Sequence, residues 1–167
     1  IDIRGSTKIF NSHNDNVIAK ILMSYHKWVT KIAKDFGGKI RSFNWDSVLI
    51  FFEWNTKGAI NEAVRCAMKI SYFIKYILNP KLTSKWYTNI DFWIWLDHDD
   101  ILSVKVWIQW EWNRDLVWIS KAVNLSAKLS DLWKAPYNIF ISNKIYINLF
   151  DDTKYHNNKD NFWNTQK

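Results

Sequence analysis

Ser47–Phe52, SVLIFF, constrains the fold of this chain more than any other stretch. It is almost continuously apolar and only a strand's length, which suits a strand buried on both faces. Lys39–Asn44 just before it alternates polar and apolar residues, the period of a half-covered strand. Only Trp45 and Asp46 separate the two, so they read as a hairpin with a tight turn. Asp46 sits on that turn. A carboxylate there is held rigidly with its oxygens exposed, a good arrangement for a hard-metal ligand. The same residue type is also a common turn former, and the hairpin alone leaves both readings open.

The first residues, IDIRGST, bear on that choice. Asp2 lies at the end of a short apolar strand, with Ile1 and Ile3 pointing the other way. Arg4-Gly5-Ser6-Thr7 follows as a donor-rich turn whose backbone N–H groups can cradle phosphates. Two carboxylates on adjacent strands beside such a turn describe a Mg²⁺–triphosphate site, because magnesium keeps few protein ligands and takes the rest from phosphate and water.

The remaining pattern alternates helices and strands. Asn14–Phe36 carries apolar residues at Val17, Ile18, Ile21, Leu22, Tyr25, Trp28, Val29, Ile32 and Phe36, which is helical spacing with one buried face. Asn14 or Asp15 caps its start, and Gly37-Gly38 ends it. Thr56–Leu78 reads as a second helix closed by Pro80, and Lys81–Lys85 as a polar connection. Asn89–Asp97 and Ile101–Gln109 read as a pair of strands around the turn Asp97-His98-Asp99-Asp100, which is taken as solvated. Leu116–Trp118 continues the sheet. Ile119–Trp133 is expected to be a helix, Asn138–Ser142 a strand and Asn143–Leu149 a short helix. The order β-α-β-β-α-β-β-α-β implies an α/β (α+β) protein with a ferredoxin-like βαββαβ core and additions. Residues 1–150 form the domain, and 151–167 read as a polar, irregular segment of it.

A net charge of +7 admits nucleic acid, but a triphosphate-binding enzyme also wants a positive field. Because Lys and Arg form no block, no nucleic-acid partner is expected. No apolar run has the length of a bilayer span, and no leader is visible, so no membrane partner is expected. Cys66 is the single cysteine, which fits a reducing, cytoplasmic setting. The chain begins inside a motif, so further residues are expected upstream.

The DIRGST block, the hairpin bearing Asp46 and the later DLVWISKAVNLSAKLS block together resemble the catalytic domain of class III nucleotidyl cyclases, from Ile1 to about Leu149. The Asp115–Trp118 run and Ala127-Lys128-Leu129-Ser130 look most like the Pycsar-type pyrimidine cyclases of bacterial anti-phage defence. The resemblance implies two Mg²⁺ or Mn²⁺ ions per site on Asp2 and Asp46, and substrate phosphates on Ile3, Arg4, Gly5, Ser6 and Thr7. It also implies that Asn124 orients the ribose and that the basic residue four positions on, Lys128, steadies the phosphate in the transition state. Both lie on one helix face. The family usually has Arg there, and Lys keeps the charge without the bidentate fork. Base recognition falls at Ser42 and Val117, where adenylate cyclases carry Lys and Asp, with Arg41 and Phe43 beside them. The substrate implied is a nucleoside triphosphate, UTP or CTP ahead of ATP. The partners implied are a second copy of the chain, which shares each site, and a downstream effector that reads the cyclic nucleotide.

Twelve Trp against four Gly is an abnormal ratio, since Gly averages about 7% of a chain. Trp45, Trp54, Trp93, Trp95, Trp107, Trp110, Trp112 and Trp133 fall where the family pattern carries glycine, whereas Trp118 falls on a family Trp. Trp45 is expected to crowd the turn beside Asp46, and Trp93 and Trp95 to crowd one sheet face. Selective replacement of glycine points to UGA codons that mean glycine but are read as tryptophan. Two other classes stay open: a catalytically silent cyclase-homology domain, and a nucleic-acid-binding ferredoxin-like domain. The latter is disfavoured because the paired aromatic motifs of such RNA binders are missing.

Overall fold

The computed structural model describes residues 1–53, 56–107, 114–119, 137–156 and 160–164, with the backbone alone at 105–107, 114–119 and 156. β1 (Asp2–Arg4) pairs antiparallel with β4 (Asp91–Leu96), and β4 pairs parallel with β7 (Ile139–Ile141). The hairpin of β2 (Lys39–Phe43) and β3 (Val48–Phe51) joins β1 on its other side through the antiparallel Asp2–Ser47 bridge. Ile3 N donates to the Asp46 carbonyl at 3.0 Å and Val48 N to the Ile1 carbonyl at 2.9 Å, which locks the junction. The resulting order, β2-β3-β1-β4-β7, contains the ferredoxin-like arrangement that the sequence implied.

α1 (Ser6–Ser12) follows directly from β1, where a loop was expected. α2 (Asp15–Asp35) is the expected amphipathic helix. Its N-cap is Asn14, whose side chain accepts from Val17 N, and Ile18, Ile21, Tyr25, Val29 and Ile32 are buried. At its C-terminal end Gly37 takes φ 79°, a left-handed turn that favours glycine. Gly38 is needed for a different reason: a Cβ there would lie 2.8 Å from Ile50 Cγ2 and 3.0 Å from the Ala33 carbonyl. This close approach lets α2 lie tightly on the hairpin.

α3 (Lys57–Phe73) buries Ile60, Val64, Ala67 and Ile70, with Thr56 as N-cap. The helix does not stop at Pro80. It widens into a π-helical segment, Ile74–Leu78, and continues as α4 (Asn79–Thr83), so Lys81–Lys85 is helix and turn rather than a connection. Proline is tolerated in a first turn, where its missing N–H costs no hydrogen bond. The Asn79 side chain then clamps the next segment, donating to Ile90 O at 2.9 Å and accepting from Ile90 N at 2.8 Å.

β4 and β5 (Leu102–Trp107) are not partners among the described residues. β5 pairs antiparallel with β6 (Arg114–Ile119) instead. Ile119 ends β6, and the rest of the helix expected over Ile119–Trp133 lies outside the described residues. α5 (Asn143–Ile147) is the expected short helix, ending two residues earlier and capped by Ser142. Beyond it the chain is more ordered than its polarity implied. α6 (Asp151–Lys154) leads into a two-strand turn, β8 (Tyr155–His156) and β9 (Asp160–Asn161). The buried Asn61 secures this end, donating to Asn148 O at 3.2 Å and accepting from Phe150 N at 2.8 Å.

Candidate active site

Three strands bring the acidic residues together. Asp2 stands opposite Ser47 on one side and Trp93 on the other, and Asp46 occupies the adjoining turn. That turn is closed by reciprocal backbone bonds between Asn44 and Ser47 at 3.0 and 3.2 Å, leaving Trp45-Asp46 as a two-residue loop. Ser6 Oγ, buried at the start of α1, donates to Asp46 Oδ2 at 3.0 Å. The Trp93 indole N–H donates to Asp2 Oδ2 at 3.2 Å.

Asp2 holds its proton more tightly than an ordinary carboxylate. Partial burial is the larger cause and the negative charge of Asp46 the next. Two carboxylates in this relation are uncomfortable alone and suited to a cation between them. Among the described residues no group of three or more His, Cys, Asp or Glu gathers to hold a metal. A pair of carboxylates therefore fits a hard divalent cation whose remaining ligands come from phosphate and water. His98 and its carboxylates do not join them. Asp97 caps the His98 N–H at 2.8 Å, and Asp99 pairs with Lys144 at 3.3 Å. Cys66 is buried, with its thiol pushed up to about 12, and offers no nucleophile.

The proposed phosphate turn is built on Gly5, at φ 58° and ψ 35°, which is the N-cap of α1 and brings no side chain to that position. The Ile3 side chain is in the core, and its N–H is already spent on Asp46. Arg4 is partly buried, and Thr7 is exposed. In β2 the pairing slips between Ile40 and Ser42, so Arg41 is the extra residue of a bulge. Its guanidinium pairs with Glu53 and lies 5.8 Å from the Phe51 ring centre. Ser42 is half-buried, and Phe43 is 56% exposed with its ring edge-on to His26. Val117 pairs with Val104 in the β5–β6 hairpin. Asn124 and Lys128 lie outside the described residues, as do Trp54, Trp110, Trp112 and Trp133.

Of the described tryptophans, Trp45 does not crowd the turn as expected, whereas Trp93 reaches into the site. Trp45 turns outward, 52% exposed, edge-on to Phe10 at 5.0 Å, and takes no positive φ. Trp93 and Trp95 share a face but part company: Trp93 reaches Asp2, and Trp95 stacks on Phe140 at 6.3 Å. Sequence reasoning missed two residues near the carboxylates. His26 Nε2 lies 3.1 Å from the Trp45 carbonyl. Tyr25, entirely buried, feels both carboxylates; burial first and then their charges raise its pKa. The only signal for Tyr25 was a polar tip in a row of Ile and Val.

The overall geometry matches solved cyclase domains. The adenylyl cyclase CyaB from P. aeruginosa superposes with a TM-score of 0.74 at 23% identity, over 88% of this chain and 76% of that one. The guanylyl cyclase Cya2 gives 0.74 at 19% identity, over 93% and 77%. The fold is that of class III nucleotidyl cyclase domains. No protein-family model matches the chain. Curated relatives do. It is 32% identical to the uridylate cyclase of Burkholderia cepacia over 161 residues, 95% of this chain and 68% of that protein. It is 31% identical to that of a Rhodovulum species over 151 residues, 87% and 61% respectively. The chain belongs to this uridylate cyclase family.

The tension between the two carboxylates gives a signed expectation. Asp2→Asn removes one like charge from a partly exposed pair, so the metal-free protein should gain about 0.5–1 kcal/mol after solvent screening. That is a rise of roughly 1–4 °C in thermal midpoint for a domain of this size. Cyclase turnover should fall about 10³-fold or more. Differential scanning fluorimetry and a turnover assay on one preparation check both, and a destabilised variant would contradict the assignment.

Proposed function

We propose that this chain is the catalytic domain of a pyrimidine nucleotidyl cyclase that takes UTP, with CTP next, to the 3′,5′-cyclic nucleotide and pyrophosphate. The observation that carries the reading is the Asp2–Asp46 pair, held by three strands beside the Gly5 turn. The names of the curated relatives support uridine as the base. Ser42 and Val117, in place of the Lys and Asp of adenylate cyclases, agree with a base other than adenine.

In the reaction the substrate's 3′-oxygen attacks its own α-phosphorus. The new O3′–P bond forms as the bond from the α-phosphorus to the α,β-bridging oxygen breaks, pyrophosphate leaves, and the 3′-hydroxyl proton passes to solvent. Asp2 and Asp46 would hold Mg²⁺ or Mn²⁺, two ions per site, which would lower the pKa of that hydroxyl and offset charge on the phosphates. Ser6 fixes the orientation of Asp46 through its 3.0 Å bond. Asn124 orients the ribose, and Lys128 meets the transition-state charge. Ser42, Phe43 and Val117 flank the base, and Arg41, tied to Glu53, sets the edge of that surface.

The protein works as a homodimer in the cytoplasm, with the aspartates of each site from one copy and Asn124, Lys128 and the base-facing residues from the other. Its product is the signal for a cyclic-nucleotide effector in anti-phage defence. A catalytically silent domain is the second reading, favoured by the indole of Trp93 on a metal-binding oxygen.

Incubation with each of the four nucleoside triphosphates and Mn²⁺, followed by mass spectrometry, is expected to give mainly cyclic UMP. Robust cyclic AMP without a pyrimidine product refutes the substrate reading, and nucleotide binding without turnover favours the silent domain. Mixing Asp46→Ala with Lys128→Ala, each nearly inactive alone, should restore up to about a quarter of the activity, the fraction expected from one intact site in a random mixed dimer. A mixture as inactive as its parts rules out shared sites.

A further inference from the structure

Tyr25 sits on α2 directly behind the turn that carries Asp46. Its sequence neighbour His26 is within hydrogen-bond distance of the Trp45 carbonyl, at 3.1 Å, and the Tyr25 and His26 rings meet edge-on at 5.0 Å. The side chain is wholly enclosed, with 0% exposure, and its hydroxyl has no hydrogen-bond partner among the described residues. A buried hydroxyl without a partner costs stability that phenylalanine would not. The charges of Asp2 and Asp46 both reach this phenol, and both groups offer only acceptors.

We propose that the Tyr25 hydroxyl is a positioning residue for the carboxylate pair, donating its hydrogen to an oxygen of Asp2 or Asp46 when the pair closes on a divalent cation. This rests on the reading above that these aspartates hold such a cation. In the metal-free fold the donor is held in reserve, at some cost to stability. On closure it supplies the outer hydrogen bond that fixes a ligating carboxylate.

Tyr25→Phe separates this role from simple packing. In the absence of metal, the thermal midpoint should stay level or rise, because the unpaired hydroxyl is gone. Mn²⁺ affinity, read from the free-ion EPR signal in the presence of 3′-deoxy-UTP, should weaken about 10-fold. Turnover should fall while the nucleotide KM changes less than about two-fold, since the residue acts on the cation rather than the base. Unchanged Mn²⁺ affinity overturns the proposal, as does a midpoint that falls with affinity intact. Failure of the underlying reading looks different: the unmodified protein binds no more Mn²⁺ than Asp2→Asn does.

A second inference stands on separate ground. Trp86 has φ 59° and is the only described residue other than glycine with positive φ. It is 93% exposed. Trp86 N bonds to Thr83 O at 2.9 Å and Tyr87 N to Leu82 O at 3.0 Å. The same pair of bonds ends α2, from Gly37 to Lys34 and from Gly38 to Ala33, with glycine in the left-handed position. Residue 86 is thus a helix-ending glycine position filled by an indole that packs on little. By contrast Trp28 packs on Phe73 at 4.9 Å, and Trp163 donates to Thr153 O at 3.1 Å.

The geometry points to glycine as the natural residue at 86, added to the eight positions singled out in the sequence. The coding DNA should then carry UGA at 45, 54, 86, 93, 95, 107, 110, 112 and 133, and UGG at 28, 118 and 163. UGG at 86 overturns the assignment. In protein made from this sequence, Trp86→Gly should raise the thermal midpoint, and a lowered midpoint counts against it equally.

Discussion

The structure depends on holding two negative charges side by side at the meeting of three strands. Neither Asp2 nor Asp46 is placed by its own preference. Asp2 is fixed by pairing with Trp93 on one side and Ser47 on the other, and Asp46 by a hairpin loop bonded to Ile3 and Ser6. The apolar partners of this junction are core residues. Ile3, Val48 and Phe92 are each almost fully buried, so the hydrophobic gain of closing the sheet is what opposes the repulsion. Packing energy thus holds two like charges together, an arrangement suited to a cation between them.

Much of this was legible because it was periodic. α2 announced itself by a row of apolar residues at three- and four-residue steps, and the hairpin by a strand-length apolar run after an alternating one. What escaped notice was set by context. α1 has seven residues and no side-chain cap, too little pattern to separate from a turn. Pro80 read as a stop because proline usually breaks helices. A π-helical segment ahead of it lets the chain enter a new first turn, where the missing N–H does no harm. The partner of β5 was misassigned because adjacency in sequence suggested β4, whose two edges are taken by β1 and β7.

The candidate site divides along the same line. Its carboxylates were legible through the blocks that contain them, and Ser6 through its place in the turn. Tyr25 was not, because α2 buries it among Ile18, Ile21 and Val29, and periodicity marks only that a position is inside. Whether a buried tip has a partner is a three-dimensional fact. Arg41 shows the converse. It was legible as a neighbour of the base, but the bulge in β2 and Glu53 decide where its guanidinium goes.

The tryptophans show how one residue acts on the site through backbone geometry. A two-residue hairpin loop follows the twist of its strands best when its first residue, or both, takes positive φ. Glycine at 45 makes that accessible; tryptophan makes it costly. In the structure neither Trp45 nor Asp46 takes positive φ, and the indole is accommodated by turning out onto Phe10. The type of turn sets the direction in which the Asp46 carboxylate points. Residue 45 therefore bears on the geometry of the carboxylate pair through the backbone alone. On the neighbouring strand Trp93 touches one directly, occupying an oxygen of Asp2 that glycine would leave to a cation. Trp45 is exposed and bears on little else, whereas Trp93, buried, also fills space within the fold. Exchanging indole for hydrogen at 45 alters the site more than the fold, because the core beneath Ile3, Val48 and Phe92 is built from other residues.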